Sequence, residues 1–320
     1  MHTEDLVQLA LKTLSCSQKE LAVRLGVSPT QISKWKNKEH MSHEMEEKFR
    51  KILAIGDKDP SFVLWAGSLQ EANKWEKLIH FLAEIAIENA ETGYNTYSLN
   101  DELRLLCWET FHVLREIGVD IPKKFPDELE TDFNNVFTDG LGDEVTVFLE
   151  KNPYSALIYK IYISLNDVYG FYAAYIAELI DDDDLELVGT AADNIEPCLI
   201  DLAACKIDVD EAFAPKFREH RHKVLKDYEE WINIVKDRAF RTGVPLRAEL
   251  LGLVFDSHDD LGHEAEAESL GFNASRIHPD IYINELLMGM RTIHQILPVI
   301  MKKLGIYDEF KLDTSELHVR

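Results

Sequence analysis

Apolar residues recur every three or four positions along most of this chain, a spacing typical of amphipathic α-helices. Such stretches occupy residues 6–14, 69–82, 154–180, 217–235 and 283–297. Glycine and proline are scarce, with 15 and 10 copies in 320 residues, which disfavours a turn-rich β architecture. The pattern therefore predicts an all-α protein.

The first 58 residues show the pattern of four short helices. It predicts helix 1 over about 6–14, helix 2 over 18–25, helix 3 over 29–37 and helix 4 from Ser42. The apolar positions of these helices would close one small core. Those expected inside helices 2 to 4 are Leu21, Ala22, Leu25, Ile32, Trp35, Met45, Phe49, Ile52 and Leu53.

Helices 2 and 3 carry recognisable start and stop signals. Ser17 precedes Glu20 by three residues and Ser28 precedes Gln31 by three, the spacing of capping boxes. Gly26 suits a helix stop because it takes positive φ without strain. These signals predict two short helices joined by a glycine-containing turn, which is a helix-turn-helix.

This stretch resembles the Cro/C1-type (XRE, lambda-repressor-like) DNA-binding family. The matching pattern is Ser17-Gln18-x-x-Leu21-Ala22-x-x-Leu25-Gly26-Val27-Ser28-x-x-x-Ile32-Ser33-x-Trp35, within a similarity over about residues 4–55. The resemblance implies a lambda-repressor-like helix-turn-helix domain at 1–57 that binds double-stranded DNA through residues 17–38. A large all-helical domain would occupy 62–320, after a short linker at about 55–62.

The resemblance also implies two classes of DNA contact. Base edges in the major groove would face Thr30, Gln31 and Lys34, because Gln can pair bidentately with adenine and Lys can donate to guanine. Phosphates would be contacted by Gln18, Lys36 and Lys38, which set register rather than sequence. An acid and a glycine are common in the family where this chain has Lys36 and Lys38, so we expect Asn37 to take the left-handed conformation that ends helix 3.

The charge distribution agrees with a DNA contact confined to the N-terminal part. Residues 1–58 carry a net charge of +2, whereas the remainder carries -26. Residues 28–38 contain three lysines and no acid. Phosphate binding requires local positive charge, so the acidic body is a poor non-specific nucleic-acid binder.

No pattern in the chain predicts a cofactor, a catalytic residue or a metal ligand. The four cysteines form no CxxC, His220 and His222 point to different sides of a helix, and the acids at 181–184 are typical of a solvated helix end. The sequence shows neither a signal peptide nor a transmembrane stretch, which favours the cytoplasm.

We therefore predict a dimeric, non-enzymatic transcriptional regulator. Its acidic body would oligomerise and sense a small-molecule, peptide or protein effector. The apolar stripe of the last long helix could form a dimer interface or an intramolecular core. The alternatives are a scaffold whose helix-turn-helix is vestigial, or a targeted enzyme or toxin-like effector. The latter's chemistry would lie at Asp256, His258, Asp259 and His263.

Overall fold

The computed structural model describes residues 3–130, 152–193, 195–242 and 283–307, and the secondary structure of these ranges is entirely helical. The predicted all-α class is confirmed for them. No described helix combines the length and the apolar composition that a bilayer span requires. The apolar pattern at 246–256 predicts a further helix, and the acidic, histidine-containing stretch at 256–268 predicts a loop; both lie outside the described residues.

The N-terminal helices begin and end close to their predicted positions. They are α1 (Thr3–Thr13), α2 (Gln18–Leu25), α3 (Pro29–Lys36) and α4 (His43–Leu53). Helix α1 packs against each of the other three. The residues predicted to face inward from helices 2 to 4 are buried except Met45, which is half-buried, and Ile52, which is 37% exposed. The prediction for Ile52 was wrong because Phe49 and Leu53, one turn apart, already form the inward face of α4.

The segment predicted as a linker is partly a helix. Helix α5 spans Pro60–Ala66, and the carboxylate of Asp59 accepts the backbone N–H groups of Ser61 and Phe62 at 2.7 and 3.2 Å. The Asp-Pro pair that suggested a linker is therefore a helix cap and a proline in the first turn. Since α5 packs against α1 and also against two later helices, α6 (Leu69–Glu88) and α7 (Leu106–Glu116), the N-terminal helices share a continuous core with the body of the protein.

Three long helices make up much of the described body. They are α6, α8 (Pro153–Phe171) and α10 (Phe217–Thr242), with the shorter α7 and α9 (Leu199–Lys206) between them. The apolar stretch at 154–180 predicts a central buried helix, and α8 indeed packs against both α6 and α9. It continues through a π-helical turn at Tyr172–Ile176 to Ile180. Tyr162 is the most buried of its tyrosines, and its hydroxyl oxygen lies 2.5 Å from the hydroxyl oxygen of Thr110, within hydrogen-bonding distance.

The spacing of apolar residues predicts a helix from Ser98 to Gly118, but the helix begins later than this. A 3₁₀ turn spans Tyr97–Asn100, and α7 starts at Leu106. Asp101 and Arg104 both take positive φ, which interrupts a continuous helix. Asp101 still acts as a cap, because its Oδ1 accepts the backbone N–H of Leu106 at 2.9 Å.

The last described helix, α11, spans Ile283–Leu304 and contains Pro298. Part of its predicted apolar stripe is exposed in the described chain, namely Met290, Ile293, Ile296 and Leu297, at 44–61% of their surface. The side chains of Ile283, Leu286 and Leu287 lie outside the described part of the chain. The four exposed side chains therefore do not form an intramolecular core with the described residues.

Candidate nucleic-acid interface

The start of α2 is stabilised by a complete capping box. The backbone N–H of Glu20 donates to Ser17 Oγ at 3.3 Å, and the Glu20 carboxylate accepts the Ser17 backbone N–H at 2.7 Å. That second bond lowers the pKa of the Glu20 carboxyl. Gln18 is the first residue of α2 and is half-buried, at the position predicted for a phosphate contact.

The start of α3 has only half of the predicted capping box. The backbone N–H of Gln31 donates to Ser28 Oγ at 3.2 Å, but the Gln31 side chain makes no return bond to Ser28. The prediction of a second full box was therefore wrong. Among the described residues, the Gln31 amide has no hydrogen-bond partner, so its donor and acceptor are available to an external group.

Helix α3 presents one polar face and one buried face. Ile32 and Trp35 are at most 4% exposed, and the Trp35 ring packs edge-on against Phe49 with ring centres 6.0 Å apart. Thr30 and Lys34 are exposed and lie one turn apart. Because the tryptophan anchors the opposite side of α3, the orientation of this polar face is determined by the core.

Positive charge dominates this part of the molecule. Residues 17–38 contain five lysines and arginines and a single acid, the capping Glu20, so the segment is strongly basic. Lys34 Nζ lies 3.3 Å from a carboxylate oxygen of Glu39, with both side chains about half exposed. Exposed pairs of this kind contribute about 0.2–1 kcal/mol, so a phosphate or a base can displace Glu39. Lys36 is exposed, and Lys38 Nζ lies 3.9 Å from Glu4.

The residue that ends α3 is Lys38, not Asn37 as predicted. Lys38 has φ of 66°, whereas Asn37 has φ of -96°. The Lys38 N–H donates to Trp35 O at 3.1 Å and the Glu39 N–H donates to Lys34 O at 3.1 Å, which is a Schellman motif. Gly26 ends α2 in the same way. In α3 the left-handed residue lies two positions beyond the last helical residue, Lys36, so it is Lys38 rather than Asn37.

Replacing Lys38 with glycine is expected to stabilise the protein by about 0.5–1 kcal/mol. Glycine removes about 1–2 kcal/mol of left-handed strain and returns part of it through the entropy of the unfolded chain. Urea unfolding would measure the change, with Lys38→Ala as the control that removes the charge but keeps the strain. A glycine variant no more stable than the alanine variant would contradict the assignment.

A second polar cluster, which the sequence patterns did not reveal, lies away from α3. His80 on α6, Asp101 after the 3₁₀ turn and Cys107 on α7 place their nitrogen, oxygen and sulfur atoms within 4.8 Å of one another. They line a cavity of about 700 Å³ together with residues 55–59. The ligand spacings along the chain, 21 and 6 residues, match no short motif, so only the fold reveals the cluster.

Comparison with known proteins does not assign this chain to a family. No family model matches it, and neither a curated protein nor a solved structure does.

Proposed function

We propose that this chain is a sequence-specific DNA-binding transcriptional regulator without enzymatic activity. Its N-terminal unit would be a lambda-repressor-like helix-turn-helix in which α3 reads bases in the major groove. The observation that carries the proposal is the polar face of α3. Exposed Thr30 and Lys34 and the half-buried Gln31 are set on a helix that Trp35 anchors from behind.

The contact chemistry follows from the residue types on that face. The Gln31 amide has one acceptor and two donor hydrogens, the set required for bidentate pairing with adenine. The Lys34 ammonium can donate to the N7 and O6 acceptors of guanine. Gln18, Lys36 and Lys38 would hold the phosphates on either side, because the basic character of residues 17–38 favours the backbone.

A dimer is part of the proposal because two half-sites at a fixed spacing multiply specificity. The exposed apolar stripe of α11 supports this step, since four large apolar side chains there are 44–61% exposed in the described chain. The acidic body would then oligomerise and receive an effector. Its charge of -26 over residues 59–320 also disfavours binding to bulk DNA.

Binding-site selection with the full chain tests the proposal. The variant Gln31→Ala/Lys34→Ala is expected to select a different or less defined sequence, because each lost base contact removes about 1–3 kcal/mol of discrimination. Lys36→Ala is the matched control on the same helix. It should weaken binding to all sequences alike, lower the salt dependence by about one phosphate contact and leave the selected sequence unchanged.

Two results would count against this function. If wild-type protein enriched no sequence, DNA reading by α3 would be excluded. If the double variant selected the same sequence as the wild type, other residues would read the bases.

A further inference from the structure

We propose that His80, Asp101 and Cys107 form a binding site for a divalent transition-metal ion, with zinc as the best match. The three side chains offer an imidazole nitrogen, a carboxylate oxygen and a sulfur, the three donor types that zinc uses in proteins. Calcium and magnesium favour oxygen ligands alone, so the histidine and the cysteine select against them. Three protein ligands leave a fourth position that opens onto the cavity.

The geometry needs only small side-chain movements to accept the ion. A tetrahedral zinc with bonds of about 2.0–2.3 Å places its ligand atoms about 3.3–3.8 Å apart. His80 Nε2 and Asp101 Oδ2 are 2.8 Å apart, and the widest separation in the set is at most 4.8 Å. The His80 side chain is 43% exposed and can shift by the ångström that is required.

A backbone hydrogen bond fixes the position of the Asp101 carboxylate, in the way that outer contacts fix the ligands of known metal sites. Its Oδ1 accepts the Leu106 N–H at 2.9 Å, which leaves Oδ2 directed at His80. Outer contacts of this kind orient the ligands and tune their affinity. Asp101 also has φ of 52°, a left-handed conformation that aspartate tolerates better than most residues.

The charge of the cavity favours a cation. Its walls carry five carboxylates, against one lysine and one arginine, and these carboxylates belong to Asp57, Asp59, Glu76, Glu84 and Asp101. Lys58 lies 2.9 Å from Glu76, and Arg104 is paired with Asp57. Pairing therefore occupies both cationic side chains and leaves excess negative charge beside the ligands.

Metal binding must release protons from the ligands. Burial, and to a lesser extent the Asp101 carboxylate, raises the pKa of the Cys107 thiol, so without metal the sulfur keeps its proton. On binding, the S–H bond breaks, a sulfur–metal bond forms and the proton passes to solvent. The hydrogen bond to Asp101 raises the pKa of His80, and wherever the ring is protonated the metal must also displace the proton from Nε2. The affinity should therefore fall as the pH falls.

The site adjoins the segment that leaves the N-terminal helices. The Arg50 guanidinium on α4 donates to the carbonyls of Gly56 and Lys58, both at 2.9 Å. Lys58 in turn pairs with Glu76, one helical turn before His80. A metal that shifts His80 would act on Glu76 in the same helix, and through the Glu76–Lys58 pair and the Arg50 hydrogen bonds on the end of α4. We infer that the metal changes DNA affinity, a step that rests on the proposed function.

Cobalt(II) titration of the full chain tests the site itself. We expect one ion per chain, a thiolate-to-cobalt charge-transfer band, displacement by zinc and release of about one to two protons. Cys107→Ser should abolish the band. Asp101→Asn should weaken binding by more than the 10–100-fold typical of an outer contact, while its amide keeps the Leu106 bond.

Matched controls separate loss of a ligand from loss of fold. Cys198→Ser alters an exposed cysteine outside the cavity and should leave the band intact. Thermal unfolding with a chelator would show whether Asp101→Asn stays folded, since asparagine also tolerates the left-handed backbone. The site is overturned if wild-type protein shows no saturable binding, if Cys107→Ser keeps the band, or if Cys198→Ser loses it.

Binding to the selected DNA, with zinc and with a chelator, tests the coupling. We expect the affinity to differ by about 5–150-fold, the usual range of coupling between two sites. Equal affinities for metal-bound and metal-free protein overturn the coupling and leave the metal site standing. Failure to bind DNA in either state overturns the coupling and the proposed function together, while the titration decides the metal site.

Discussion

Replacing Trp75 with alanine is expected to lower the free energy of unfolding by about 3–5 kcal/mol, as for other fully buried aromatic residues. Its side chain on α6 has no exposed surface. Its ring packs edge-on against Phe111, Phe125 and Tyr154, with ring centres 4.9–5.8 Å apart. Equilibrium urea unfolding would measure the loss.

Trp75→Phe is the matched control. It fills most of the same space and removes an indole N–H that is buried without a hydrogen-bond partner in the described structure. We therefore expect a much smaller loss than for alanine. An alanine variant within about 1 kcal/mol of the wild type would contradict the packing described for α6, because a cavity of this size cannot be neutral.

The same variant reports on how the N-terminal helices unfold. The aromatic cluster extends from Trp75 through Phe111 to Phe62 on α5, whose ring centre is 4.8 Å from that of Phe111. Helix α5 in turn packs against α1. Hydrogen exchange of the α3 amides should thus become faster in Trp75→Ala. Unchanged protection of α3 would instead show that residues 1–57 unfold independently of the body.

Replacing Glu109 with glutamine is expected to stabilise the protein at pH 8 by roughly 2–3 kcal/mol and to have little effect near pH 4. Burial on α7, and then the nearby carboxylates of Asp101, Asp201 and Glu196, raises the pKa of Glu109 to about 7. The folded protein therefore binds this proton more tightly than the unfolded chain, in which the pKa is 4.5.

The sign of the pH dependence results from that difference. The contribution of Glu109 is fully present below pH 4.5 and is lost as the pH rises to about 7. Above that, a buried charge opposes folding, and glutamine removes it. Thermal unfolding from pH 4 to 8 would measure the difference, with the exposed Glu102→Gln as the control. A Glu109→Gln effect independent of pH would show that this carboxyl does not titrate between the two values.

Local signals made the N-terminal helices predictable. A cap acts within three or four residues, so Ser17, Gly26 and Ser28 are sufficient to place the ends of α2 and the start of α3. Helical spacing predicted that Ile32 and Trp35 face inward, and both are buried. The role of α3 in binding DNA stays a prediction, because burial and caps do not identify a partner.

Signals that depend on distant contacts were misread or missed. The sequence between Ser98 and Gly118 has helical spacing, yet Asp101 and Arg104 take positive φ and α7 begins only at Leu106. This break brings Asp101 to His80 on another helix. Since the pair is 21 residues apart and depends on the packing of α6, helical periodicity could not reveal it.

The three left-handed residues that end α1, α2 and α3 also determine where the chain tolerates added length. Ser15, Gly26 and Lys38 each turn the backbone within two residues of the end of a helix, with φ of 48°, 70° and 66°. Between α2 and α3 there is no spare residue: Gly26 and Val27 end α2, and Ser28 caps α3. A residue inserted there must therefore displace α3. Between Glu39 and Ser42, by contrast, the residues neither complete the end of α3 nor cap α4. Insertions, such as epitope tags, are therefore best placed after Glu39, whose N–H completes the end of α3.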